Sequence, residues 1–348
     1  MLTSVEPLLE GKRMVICAGS GGVGKTTTAA AVALGLAERG AKVAVVTIDP
    51  ARRLANALGL DSLSNEPTRV RADVDGELWA MMLDAKRTFD QLIEHLAPDA
   101  RTRDEVLGNR IYQQLSSAVA GSQEFTAIAK LYELDAAGAW DVLVLDTPPS
   151  RNALDFLDAP GRLTRFFQGR AIRMFLRPAG LFGRGTGLVF GVLRRITGVD
   201  LLRDLSGFFH ALSGMIDGFT ERARRVGALL EDPATTFLIV TAPRHDPVEE
   251  AIFFHRKLRE AGMPFGGLVV NRVHQPPDDE LPAGLGSVLT ARVEAAVAQL
   301  EALAARDAAN VERLRSALGD PPTLVVPELA DDVHDLDGLA RVRSHLFG

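Results

Sequence analysis

Residues 19–27 read "GSGGVGKTT", and residue types at that spacing suit one kind of chemistry, the holding of a phosphate chain. Glycines let backbone N–H groups converge on an anion. Lys25 offers a cation and Thr26 a hydroxyl, and a helix beginning near Lys25 would aim its positive end at the same point. Two templates overlap here. Gly19, Gly21 and Gly24 fit GxGxxG, a turn for dinucleotide pyrophosphate, and Asp49 ends the second apolar run, where a ribose-binding acid would stand. Gly19 to Thr26 also fit GxxxxGK[ST], in which Gly21, Gly22, Val23 and Gly24 shape the loop, the lysine reaches β- and γ-phosphate, and the hydroxyl binds Mg2+. Only the longer template uses Lys25 and Thr26.

Three more residues belong with this loop. "WDVLVLDTPPS" is an apolar strand ending in Asp146, whose carboxylate could hold water on Mg2+ and report the γ-phosphate to the loop that follows; otherwise it caps a turn. "GGLVVNR" puts Asn271 after a late strand, where an amide can read an adenine edge by paired donor and acceptor. Asp49, before Pro50 at a strand end, is either an acceptor for the proton of an attacking water or the N-cap of "PARRLANAL".

The elements that must position these groups alternate between strand and helix. Apolar runs "RMVICA", "KVAVVTID", "ELWAMML", "DVLVLD", "TFLIV", "GGLVVN" and "TLVVPE" are separated mostly by helical patterns. Such continuous apolar strands imply burial on both faces, hence a mostly parallel sheet flanked by helices with ligands at the strands' carboxyl ends. "LTARVEAAVAQLEALAARDAANVERLRSALG" reads as one long amphipathic helix or two, its alanines suited to close packing on the sheet. "QPPDDELPAGLG" before it reads as a solvated connection. We expect one domain over residues 1–348, with a helical insertion at about 150–230 and a further helical segment at about 84–137.

The 348 residues are 47% apolar, enough for a large core, and a formal charge of −6 argues against a general polyanion binder. A single cysteine, Cys17 in the first strand, excludes an internal disulfide and an all-thiolate metal site. The start lacks a basic segment leading into an apolar one, and no 18-residue uncharged apolar run occurs, so a cytoplasmic location is expected. None of the seven histidines stands in an HxxxH or HExxH pattern.

Taken in order, "GSGGVGKTTTAAA", "TIDPARRLANALG", "AGSQEFTAIAKL", "DTPPSRNALDFL", "VVNR" and "VVPEL" make the chain resemble the ArsA-type ATPases, the family of arsenite-pump ATPases and of targeting factors for tail-anchored membrane proteins. The resemblance covers nearly the whole chain. It implies a P-loop NTPase α/β fold and an ATPase using ATP and Mg2+ as a face-to-face dimer, with two switch loops that move as the dimer closes. By position, Lys25 would pair with β/γ-phosphate, Thr26 would bind Mg2+ and Thr27 would contact the α-phosphate. Asp49 would orient and deprotonate water, Asp146 would support the metal, Asn271 would bind adenine, and backbone near Pro327 and Glu328 would close over the base.

The chain departs from that pattern at Ser20, where relatives carry a lysine that reaches the partner's phosphates. The missing cation could come from Arg52 or Arg53, more weakly from Arg151, or from a second related subunit bearing the lysine; otherwise Ser20 is a loop residue of a slow switch ATPase. Homodimer and heterodimer therefore both remain. One cysteine excludes arsenite sensing, and a zinc-binding CxxC is absent.

Residues 159–199 hold eight arginines and no acid, with five phenylalanines and eight glycines among them. That composition suits a surface for a hydrophobic helical client, an acidic partner or an anionic membrane, or else an ordinary helical subdomain with apolar core and basic exterior. A nucleic-acid partner is not expected. The competing functions are a nucleotide-gated scaffold or chaperone and a dinucleotide-dependent oxidoreductase.

Overall fold

In the computed structural model, residues 1–49, 51–113, 122–147, 207–277 and 287–348 are described, together with Gly161 and Arg165. Five apolar residues in sequence, Met14–Ala18, form β1, and all five are buried. The same full burial recurs in Val142–Asp146 (β5) and Thr235–Thr241 (β6), which flank β1 on either side. With Lys42–Thr47 (β2), Thr68–Arg69 (β3), Glu77–Met82 (β4), Phe265–Val273 (β7) and Thr323–Pro327 (β8) they make one sheet in the order β3-β4-β2-β5-β1-β6-β7-β8. Every pairing is parallel except β3 with β4. The seven apolar runs are thus seven strands of a parallel sheet. The two-residue β3 has no apolar run to betray it and exists because it pairs with β4 at the sheet edge.

Because β1 lies between β5 and β6, the chain leaves β1 toward one half of the sheet and returns to fill the other, which opens a crevice at the strands' carboxyl ends. Register keeps those ends level: Cys17 lies opposite Asp146, and Asp146 opposite Thr47.

The helix Lys25–Glu38 is apolar nearly all round, as a helix covered on two sides must be. One side meets the sheet; the other meets the C-terminal helix Leu336–Phe347. Gly35 permits this second contact, since a Cβ there would lie 2.2 Å from the Phe347 ring. The same ring carries the Arg39 guanidinium 4.4 Å above its centroid, and Arg343 pairs with Glu38 at 2.9 Å. The N-terminal residues join the layer through Val5 N–H on the Leu346 carbonyl.

The segment after residue 286 is one helix, Ser287–Leu318, and it packs on the helix His245–Glu260 and on β7. Its buried positions are Ala304, Asp307, Val311 and Leu314, all in its second half. The expected close packing of its alanines on the sheet is limited: the helix meets β7, but Ala304 is its one buried alanine. A 3-4-3 spacing of buried positions favours a seam against one helix over a broad face against strands.

The chain divides into two compact units, one of residues 1–83, 137–154 and 230–348 that holds the sheet, the other of residues 84–136 and 155–229. In the second unit the helices Ala85–Leu96, Ala100–Leu107, Ser122–Ala136 and most of Ile216–Glu231 gather around aromatic side chains. Phe89 stacks on Tyr112 at 6.1 Å and on Phe219 at 5.8 Å, and the Tyr112 hydroxyl donates to Asp90 at 2.5 Å. Leu92 and Ile93 are buried core residues of this unit. Among the described residues no helix is long and apolar enough to cross a membrane.

Glycine to alanine inside a helix ordinarily gains about 1 kcal/mol. Gly35→Ala is expected to lose about 1–3 kcal/mol instead, because the methyl overpacks the Phe347 ring. Thermal melts of Gly35→Ala, Phe347→Leu and the double variant check it: the double should lose less than the sum, and a higher melting temperature for Gly35→Ala alone would contradict the packing.

Candidate active site

The loop after β1 is built on close backbone approaches. Gly19 passes so near β6 that a Cβ would stand 1.9 Å from the Val240 carbonyl oxygen, which leaves no room for any other residue. Gly24, at φ +92, closes the loop; it is also the N-cap of the helix Lys25–Glu38, and among the described residues no side chain caps that N-terminus. The first N–H groups of the helix are thus left for an anion, with the positive end of the helix dipole behind them.

Lys25 is buried, and its Nζ donates to the Ser20 carbonyl at 2.7 Å. Burial pushes its pKa down, while Asp146 and Asp49 oppose the shift. Thr26 donates from its hydroxyl to Asp146 Oδ2 at 2.8 Å, and Thr47 donates to the same oxygen at 2.8 Å. Asp146 is 1% exposed, and its other oxygen, Oδ1, is buried with no hydrogen-bond partner among the described residues. Loss of hydration pushes the Asp146 carboxyl up to about 6, against the two threonine hydroxyls and Lys25, which favour the charged form. Thr147, next in the chain, is tied to β1 by N–H and hydroxyl donation to the Cys17 carbonyl.

Asp49 does not cap a helix. Its Oδ1 accepts from Ala51 N–H at 3.0 Å, its Oδ2 lies 3.4 Å from Arg53 Nη1, and its own N–H donates to Thr47 Oγ1. The short helix Arg53–Ala57 starts instead from Arg52, held at φ +35. Asn271, 9% exposed, donates from Nδ2 to the Val23 carbonyl at 2.9 Å and lies against Gly24, where a Cβ would come within 2.2 Å of that nitrogen.

Several of these groups border a cavity of about 360 Å³, whereas Asn271 and Asp146 do not figure in its lining. Gly22, Gly24, Lys25, Thr26, Thr27 and Asp49 all line it. Val23 is fully buried beneath the loop and Gly21 is exposed at its tip. Asp146 lies behind Thr26. Pro327 pairs with Val273 at the end of β8, and the Glu328 N–H is used by the Val273 carbonyl; the lining from that side comes from Asp332, Val333 and His334.

Sequence reasoning overlooked several lining residues. Arg272 enters the cavity because β7 and β8 slip register between Val270 and Val273, and Arg272 takes φ +62. It stands beside Asn271 in "VVNR", which was the available signal. Asn56 and Thr147 also line the wall and stand within "TIDPARRLANALG" and "DTPPSRNALDFL", which was their signal; residues 332–334 line it too, and their chain positions carry no motif. Arg53 lines the cavity; Arg52 does not figure in its lining. Arg151 and the basic stretch 159–199, apart from Gly161 and Arg165, lie outside the described residues. Cys17 is buried in β1, its thiol pushed well up by burial, so it offers no thiolate to a metalloid.

The arrangement is a glycine-rich loop at a helix N-terminus beside a buried carboxylate and a strand-end acid, groups that could hold a nucleoside triphosphate and a metal ion. Comparison with known proteins agrees. Residues 12–295 match the family model for the anion-transporting ATPases, ArsA_ATPase. The chain is 27% identical over 277 residues to an ATPase ASNA1 homolog of Cryptosporidium parvum, covering 78% of this chain and 68% of that protein. It is 28% identical to ATPase GET3 of Malassezia globosa, with 76% and 74% of the two chains covered. It is 27% identical to ATPase ARSA2 of Chlamydomonas reinhardtii, with 81% and 72% covered. The chain therefore belongs to the ArsA family of anion-transporting ATPases and is an ATPase.

Proposed function

We propose that ATP is hydrolysed in the cavity at the carboxyl ends of β1, β2 and β5, with Mg2+, and that turnover moves a helical surface that binds a client. The observation that carries the site is Asp146 Oδ1, a buried carboxylate oxygen without a partner among the described residues, while Oδ2 is fastened by Thr26 and Thr47. That donor set fits a hard cation: Thr26 would hold Mg2+ through its hydroxyl, and Asp146 would accept from a metal-bound water. When bound, the ion neutralises charge on the β- and γ-phosphates.

The chain's own residues then have separate tasks. Lys25 exchanges the Ser20 carbonyl for the β- and γ-phosphates, a better partner for an ammonium. Backbone at Gly22 and Gly24 and the side chain of Thr27 hold the remaining phosphates. Asp49, 13% exposed at the mouth of β2, takes the proton of the attacking water. Water oxygen bonds to the γ-phosphorus as the bond to the bridging oxygen breaks, and ADP leaves with that electron pair. Asn271 spends one N–H on Val23 and keeps its carbonyl and second N–H for an adenine edge. Pro327 and Glu328 set the start of the turn that borders the cavity at Asp332–His334.

The family resemblance supports a dimer closing across this face, of like chains or with a related subunit that brings the lysine absent at Ser20. It also supports a hydrophobic helix, or an anionic membrane surface, as the ligand of residues 159–199.

Asp49→Asn is expected to bind ATP within about threefold of wild type and to lose at least about 100-fold in kcat, as removal of a general base does. Equilibrium binding and phosphate release read this, and unchanged release would remove Asp49 from the reaction. A second expectation concerns pH. A carboxyl near 6 in the folded chain and 3.8 ordinarily binds its proton more tightly when folded, so its effect on stability is most favourable below about 4 and worsens until about 6. The change is on the order of 3 kcal/mol. The stability of nucleotide-free wild type minus that of Asp146→Asn should fall across this window and then level; a flat difference would mean that Asp146 is not held as described.

A further inference from the structure

We infer that Arg53 is the second cation of the phosphate site, supplied by the same chain, and that its move from Asp49 to the γ-phosphate arms Asp49 for proton transfer. The inference rests on the nucleotide reading above and assigns a role that the P-loop leaves empty.

Among the described residues the cavity is lined by one lysine and two arginines, Lys25, Arg53 and Arg272. A triphosphate whose charge shifts outward during cleavage needs more than the loop lysine to stabilise its γ-phosphoryl oxygens. Position 20 cannot contribute: its side chain is neutral, and its carbonyl holds Lys25 Nζ. Arg272 stands on β7 beside Asn271, with Glu328 at 4.0 Å. Arg53 differs from both, because its guanidinium lies against the candidate base, 3.4 Å from Asp49 Oδ2.

That pair is loose. The separation exceeds an ordinary charged hydrogen bond, and the arginine side chain is 60% exposed, so little energy holds it in place. A γ-phosphate presents more charge and a fork-matching set of oxygens, and it outcompetes a single carboxylate oxygen for a guanidinium. The exchange has a second effect. Asp49 Oδ1 stays fixed on Ala51 N–H, so the oxygen released by Arg53 is Oδ2, the one left to accept the proton from water. Charge stabilisation and base release thus become one movement, triggered only when a γ-phosphate is present. Arg52 is a poorer candidate: it takes a left-handed conformation to start the short helix and does not figure in the cavity lining.

The test uses the full chain and the variants Arg53→Ala, Arg53→Lys and Arg52→Ala, with thermal melts to confirm folding. Arg53→Ala is expected to lower kcat about 100- to 1,000-fold, as loss of a transition-state charge contact does, with MgADP affinity within about threefold. It should also lose most of the wild-type preference for MgADP with aluminium fluoride over MgADP alone, a binding readout that does not need fast turnover. Arg53→Lys should recover part of both effects, and Arg52→Ala should stay near wild type. Turnover and aluminium fluoride preference of Arg53→Ala within about threefold of wild type would overturn the assignment while leaving the ATP site intact. Lys25→Ala separates the two failures: if it hydrolyses ATP like wild type, the phosphate-loop reading falls and the role of Arg53 with it.

Discussion

A carboxylate kept out of water is the constraint around which this site is arranged. Asp146 sits at the tip of a fully buried strand, and a charge there is costly unless its oxygens are bonded. Two hydroxyls meet that need on one oxygen only, Thr26 from the phosphate loop and Thr47 from the neighbouring strand. The single acceptor therefore ties the loop after β1 to the end of β2, where Asp49 follows two residues later. The second oxygen has no partner among the described residues, and its demand for one is what makes the site fit a hydrated cation.

The surroundings divide into fixed and exchangeable parts. Gly19 against the Val240 carbonyl, and Asn271 against Gly24 and Val23, are contacts between backbones or through buried amides and leave no slack. The cations are held by weaker partners: Lys25 by a neutral carbonyl, Arg53 by a distant carboxylate oxygen. Each has a bond that phosphate can replace with a stronger one. A rigid cradle with exchangeable cations suits a nucleotide switch, because the energy of ligand contact is directed to a few side chains instead of remodelling the sheet.

The helix Lys25–Glu38 links this chemistry to the core. Its N-terminal residues Lys25, Thr26 and Thr27 line the cavity, and its flank packs under the C-terminal helix through Gly35 and Phe347.

Much of this was legible beforehand, and the reasons are physical. Strands buried on both faces are continuous apolar runs, so β1, β2 and β4 to β8 could be read directly, and "GSGGVGKTT" specifies a phosphate loop because only glycine tolerates its close approaches and only Lys25 and Thr26 supply its charge and hydroxyl. The edge pair β3, the seam of the helix Ser287–Leu318 and the bulge that turns Arg272 into the cavity depend on a partner strand or helix, and a residue's neighbours along the chain do not reveal that partner. The same holds for Asp49: its type and place suggested a base or a cap, and only the folded loop showed that the helix starts from Arg52 and that Ala51 and Arg53 stand on the two Asp49 oxygens. Local chemistry is written in residue type and spacing, whereas the partner of a charged oxygen is decided by whichever distant segment the fold brings within three or four ångströms of it.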